Sequence, residues 1–198
     1  LNRLNNIGLL SPQTQLVHMN LINEADIELL KQSNAHVLHC PSSSLEIEKK
    51  FFPIGELQQA SINTALGTGD ITSANGLDLF DEMRIYSLMA SADESSHLNR
   101  AHSALRAATI NAARALGWDH DIGSIEAEKY ADIIALEIDP IAQQPLYNPL
   151  SQLVSSHSSM QVSHSWVAGR PLFANRQLVS LKENKLSQSA SDWHAKLV

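Results

Sequence analysis

Two histidines and one carboxylate stand where short apolar runs stop. His18 lies at the end of Gln15–Met19 (QLVHM) and His39 at the end of Ala35–Cys40 (AHVLHC). Asp70 follows Ser61–Thr68 (SINTALGT), in the turn Gly67-Thr68-Gly69-Asp70. An imidazole can ligate a metal, move a proton or hydrogen-bond a developing oxyanion, and a carboxylate can ligate or accept a proton. Each run alternates as a strand does, and a segment with helical spacing comes after each. Strand, polar residue, helix, repeated three times, is how a parallel α/β barrel presents reacting groups at the C-terminal ends of its strands.

Taken singly, these residues have plainer readings. A lone histidine is more often structural than catalytic, and Asp70 could be a turn residue after Gly69. His36 sits three residues from His39, faces the opposite side of the strand and reads as structural. Asp78, Asp81 and Glu82 read as the solvated start of a helix. Three consecutive strand ends carrying His, His and Asp bring the site reading level with the separate ones.

The elements that must position this set are legible along the chain. Asn23 opens a helix through Ser33, with Glu24 and Asp26 in its first turn. Pro41 stops the second strand, Ser42–Phe52 reads as a loop, and Pro53 suits the first turn of a helix through Ala60. Gly69–Gly76 is a polar loop before the helical pattern Leu77–Ser91. Ala101–Leu116 reads as one further helix closed by Gly117. Beyond Gly117 the pattern changes to short strand-like runs at Ile122–Ile125, Ala131–Leu136, Leu150–Val154 and Met160–Val167. The last is followed by Gly169-Arg170-Pro171, and Ser187–Leu197 reads as a closing helix.

Composition narrows the function classes. The 198 residues carry a formal charge of −7, which argues against a nucleic-acid or anionic-membrane surface. No apolar run approaches a membrane span. One cysteine, Cys40, cannot form an internal disulfide, which fits a reducing, cytoplasmic setting. The first residues, Leu1-Asn2-Arg3-Leu4, lack an initiator Met and the pattern of a signal peptide, so the chain is expected to be a cut or incomplete product.

His18-Met19, His39-Cys40-Pro41-Ser42-Ser43-Ser44 and Ala65-Leu66-Gly67-Thr68-Gly69-Asp70 resemble the amidohydrolase superfamily. More matches follow in order: Asp78-Leu79-Phe80-Asp81-Glu82-Met83-Arg84, Ala107–Gly117, Gly123-Ser124-Ile125-Glu126, Lys129-Tyr130-Ala131-Asp132 and Trp166-Val167-Ala168-Gly169-Arg170. The group most resembled is the 5-methylthioadenosine/S-adenosylhomocysteine deaminases, with the related chlorohydrolases and guanine deaminases. The resemblance covers almost the whole chain.

It implies an α/β fold: the C-terminal part of a (β/α)8 TIM barrel, strands six to eight, plus part of a small β-sandwich. Residues 1–117 are then the barrel part, and residues 118–198 the sandwich portion with its closing helix. The implied activity is metal-dependent hydrolysis of a non-peptide C–N bond, the deamination of an aminopurine nucleoside or similar nitrogen heterocycle. His18 and Asp70 are the implied catalytic residues. His18, Ser73 and His39 are implied against substrate, and Asp70 is the implied ligand of one divalent metal, zinc. The remaining ligands, a His-x-His and a His-x-x-Glu in the family, would lie upstream of Leu1. The segment alone is therefore not expected to be active. Its expected partners are that upstream segment, a small-molecule substrate and a second copy of the chain.

One departure bears on the chemistry. The family order is Gly-Thr-Asp-Gly, whereas this chain has Gly67-Thr68-Gly69-Asp70, which moves the carboxylate by one residue. Ser44 stands where the family usually has Asn, and Glu128 where it usually has Gly. The competing class is a catalytically impaired paralogue that keeps the fold and binds a ligand or partner.

Overall fold

The computed structural model describes residues 1–48, 51–70, 76–93, 96, 99–141, 143–156 and 158–197. In chain order the elements begin with α1 (Asn2–Asn6), β1 (Gln15–Val17), α2 (Glu24–Ser33), β2 (His36–His39) and α3 (Pro41–Ser43). The last runs into a π-helical turn, Ser44–Glu48. Next come α4 (Ile54–Gln59), β3 (Thr64–Leu66), α5 (Leu79–Ala92), α6 (Arg100–Ala108) and α7 (Ile110–Ala115). The remainder is β4 (Ile133–Leu136), α8 (Pro149–Ser155), β5 (Val162–Val167), β6 (Arg170–Ala174), β7 (Gln177–Leu178) and α9 (Glu183–Leu197).

Among the described residues the strands form two sheets. The first is parallel, in the order β1-β2-β3, with Leu16 level with Val37 and Leu38 level with Ala65. Burial alternates along β2: Val37 and His39 are fully buried, whereas His36 and Leu38 are half-buried. That is the period of two expected when one face is covered. Val37 joins Leu30, Leu57, Met83, Tyr86, Met89 and Ala104 in one core. α6 turns Ala101, Ala104 and Ala107 inward, a small-residue face that lets it lie close to α5. The second sheet is antiparallel, in the order β4-β5-β6-β7.

Asn23 caps α2 as expected, accepting from the Asp26 N–H at 3.0 Å while Asp26 reaches back to the Asn23 N–H. Four local expectations are corrected. Leu150–Val154 is not a strand but lies in α8: the Asn148 side chain accepts from the Ser151 N–H and Pro149 takes the first turn. Leu150, Leu153 and Val154 then share one face, and Val154 is fully buried in the core. Ile122–Ile125 is a turn. Gly123 has φ +91°, and a Cβ there would lie 2.7 Å from the Ala113 Cβ and 2.9 Å from the Ile110 Cα, so the segment is pressed onto α7. Part of Ser42–Phe52 is helical, as given above. The helix expected over 101–116 breaks at Thr109, whose φ/ψ of −125°/−98° leave the helical region. The second piece is tied to the sheet by Asn111, which donates to the Thr64 carbonyl at 3.1 Å. No helix among the described residues is long and apolar enough to cross a membrane.

Candidate active site

The parallel sheet brings the candidates to one end. The His18 N–H donates to the Leu38 carbonyl at 2.9 Å, and the Gly67 N–H donates to the His39 carbonyl at 2.9 Å. The ladder thus continues to the points where the chain leaves the sheet. His18 and Met19 leave it in the left-handed region, with φ 72° and 56°. Two such residues in succession are uncommon outside glycine and abolish the strand's alternation. His18 is half-buried there. His36 lies at the other end of β2, where its Nδ1 is 3.0 Å from the Asn63 side-chain amide, which also donates to the Asn111 carbonyl. Those contacts make it structural.

His39 is fully buried. Its ring stacks on Phe52, centroids 3.9 Å apart and 9° from parallel, with Tyr86 tilted 6.3 Å away. Neither ring nitrogen has a hydrogen-bond partner among the described residues. Burial, and secondarily the charge of His18, pull its pKa down to about 3, so the ring is neutral at physiological pH. Ser73 lies outside the described residues.

Asp70 is exposed at the end of the third strand. Gly69 before it has φ +70°, and a Cβ there would lie 3.2 Å from the Ser43 Cβ and 3.6 Å from the Cys40 Cβ. A side chain at 69 would be strained and driven into the turn after β2. Asp70 itself lies outside the left-handed region. Cys40 is buried beneath the same turn. Burial and the nearby Glu82 carboxylate push its thiol pKa up, while a hydrogen bond from the Gly69 backbone acts the other way.

Glu82 overturns its sequence reading. Asp78 does cap α5, accepting from the Phe80 N–H at 2.9 Å, and Asp81 is exposed, but Glu82 is 2% exposed. Its Oε2 accepts from the Ser42 N–H at 2.9 Å. Burial pushes its pKa up, the Ser42 hydrogen bonds oppose that, and Asp81 and Asp78 add to the rise. The signal was present in the spacing: Glu82, Tyr86 and Met89 fall on one helical face, beside Met83 and Ala90.

Among the described residues no group of three or more His, Cys, Asp or Glu is gathered closely enough to hold a metal ion. This end of the sheet carries an exposed carboxylate, Asp70, and a half-buried imidazole, His18. A carboxylate oxygen suits zinc, which takes four ligands in a closed site or three plus water in an open one, so Asp70 fits one place in such a site.

Comparison with known proteins gives this arrangement a context. The profile of the Amidohydrolase family matches residues 1–172. A 5-methylthioadenosine/S-adenosylhomocysteine deaminase from Saccharophagus degradans is 43% identical over 198 residues, covering 100% of this chain and 44% of that protein. One from Teredinibacter turnerae is 41% identical, covering 100% of the chain and 45% of its own length. The chain thus spans less than half of these relatives. The crystal structure of an adenosine deaminase from Xanthomonas campestris with bound zinc superposes with a TM-score of 0.93 at 38% identity, over 98% of this chain and 45% of that one. A zinc complex of atrazine chlorohydrolase from Arthrobacter aurescens gives 0.89 at 23% identity, over 96% and 43%; it speaks to the fold alone.

Proposed function

We propose, from the premise that this chain belongs to the amidohydrolase family, that it is the C-terminal part of a deaminase. The enzyme would hydrolyse the exocyclic amine of an aminopurine nucleoside of the 5-methylthioadenosine/S-adenosylhomocysteine type. The observation that carries this reading is the alignment of His18, His39 and Asp70 at one end of a parallel sheet, in a chain matched end to end by deaminases of that name. On this reading β1, β2 and β3 are strands six, seven and eight of a (β/α)8 barrel within residues 1–117. Residues 118–198 are a portion of a β-sandwich with α9 closing it. The setting is the cytoplasm.

A bound zinc ion, with its other ligands from the rest of the polypeptide, would supply an acidified water. The residues of this chain do the remainder. Asp70 would contribute one ligand oxygen and would accept the proton of the attacking water. His18 hydrogen-bonds the oxygen on which charge develops, an electrostatic role. A carbon–oxygen bond forms, the proton taken by Asp70 passes to the departing amine as the carbon–nitrogen bond breaks, and ammonia leaves. His39, buried and neutral, and Ser73 are the further residues this reading assigns to substrate binding.

The test uses the full-length protein and 5′-methylthioadenosine, measuring ammonia release and zinc per chain. His18→Ala should lower turnover by ~100-fold or more with zinc retained, by comparison with the loss of one oxyanion donor. Asp70→Ala should lose both zinc and turnover. Equal and small effects at the two positions would sink the reading. The shifted carboxylate favours a second one, an impaired paralogue that binds without turnover, which a zinc-free but well-folded full-length protein would support.

A further inference from the structure

We infer that Glu82 is a positioning residue for the turn that carries Asp70, acting through the segment Cys40–Ser43. The inference rests on the proposed role of Asp70, and three contacts in series make the connection. The buried Glu82 carboxylate on α5 accepts from the Ser42 N–H at 2.9 Å. Ser43, next in the chain and 2% exposed, presents its Cβ and Oγ 3.2 and 3.5 Å from where a Cβ of Gly69 would be. Cys40 closes the other side: its Sγ would lie 3.5 Å from a Cβ of Gly67, and its Cβ 3.6 Å from a Cβ of Gly69. Gly67 and Gly69 are therefore seated against a turn whose own position Glu82 fixes. Asp70 is the next residue out.

Packing alone gives no reason for an acid at this position. The buried neighbours of Glu82 on α5 are Met83, Tyr86, Met89 and Ala90, and an apolar residue at 82 would continue their face without the cost of desolvating a carboxyl. No cation offsets that cost among the described residues. The carboxyl does what an apolar side chain cannot: it ties the first turn of α5 to the turn after β2. A single carboxylate thereby fixes the turn on which Gly67 and Gly69 are seated.

The experiment compares Glu82→Ala, Glu82→Gln and Ser43→Gly in the full-length protein. Hydrogen exchange is followed in peptides covering 40–43 and 67–70, together with zinc per chain, kcat and KM. Glu82→Ala should speed exchange at 67–70 about tenfold. It should lower kcat by ~10- to 100-fold, the scale of a displaced catalytic group, with KM changed less than threefold. Glu82→Gln keeps an oxygen acceptor for the Ser42 N–H and should restore exchange and kcat to within about threefold of the parent. Ser43→Gly removes the contact with Gly69 while leaving Glu82 alone, and should loosen 67–70 without loosening α5. If Glu82→Ala does not fold, the Gln and Gly variants carry the test. Unchanged exchange at 67–70 in folded Glu82→Ala or in Ser43→Gly overturns the inference, as do equal losses in the Ala and Gln variants. A parent protein without zinc or turnover overturns the deaminase reading, while the exchange data still decide whether the three contacts act in series.

Discussion

The parallel sheet β1–β3 and the antiparallel sheet β4–β7 place their strand ends differently. In the first, every strand points the same way, so His18, His39 and Asp70 come from separate parts of the sequence to one edge. In the second, neighbouring strands alternate in direction, and successive ends fall on opposite edges. Two of those ends close in two-residue turns with both φ values positive: Ala168 and Gly169 at 49° and 74°, Asn175 and Arg176 at 49° and 63°. Such turns match the twist of a hairpin and leave little room for other chemistry. Parallel order gathers polar groups, whereas antiparallel order here builds turns.

The core under the parallel sheet should prove the less forgiving region. Leu57 is fully buried in it, and Leu57→Ala should cost about 2–5 kcal/mol, read from denaturant unfolding of the full-length protein. A cost below about 1 kcal/mol would mean that this core is looser than its burial suggests.

A pH dependence sharpens the contrast. His39 has a folded-state pKa of about 3 against 6.5 unfolded. Its folded pKa is depressed, so its contribution is intact above 6.5 and is lost as the pH falls towards 3, where the unfolded chain binds a proton that the folded one refuses. Unfolding free energy should therefore drop by up to about 1.4 kcal/mol per pH unit below 6.5, and His39→Phe should flatten that slope. Identical slopes in parent and variant would argue that His39 is charged in the folded protein.

Gly69→Ala tests the turn itself. Positive φ and the approach to Ser43 should together cost about 1–2 kcal/mol, with zinc occupancy falling because Asp70 is displaced. The smallest effect belongs to the other sheet. Val167 on β5 is 46% exposed, and Val167→Ala should change stability by about 0.5 kcal/mol or less. Costs at Val167 rivalling those at Leu57 would erase the distinction between the two regions.

Much of this was readable from the residues. His18, His39 and Asp70 could be placed because alternation, Pro41 and the glycine turn mark strand ends locally, and Asn23 announced α2 by its own chemistry. Elsewhere tertiary structure overrode local signals. Leu150–Val154 is too short for its period to be decided without noticing Asn148 and Pro149 as a helix start. Thr109 reads as helical until Asn111 is seen bonded to the third strand. Glu82 looked solvated because acids cluster at its helix start, and only the face it shares with Tyr86 and Met89 contradicts that. The conformation of Gly69 depends on Ser43, 26 positions away in sequence, and no local pattern records it.

The two tight turns also bear on the order in which the chain acquires structure. Val167 pairs with Arg170 and Ala174 with Gln177, so β5, β6 and β7 find one another across two intervening residues. Contacts of such short range form on the microsecond scale. β1 must cross α2 to reach β2, and β2 must cross α3, a π-helical turn and α4 to reach β3, and loop closure of that span has to be met before any contact rewards it. On sequence separation alone the hairpins are expected to assemble early and the strand ends bearing His18, His39 and Asp70 to come to register late. A chain caught partway would hold formed turns and no assembled site.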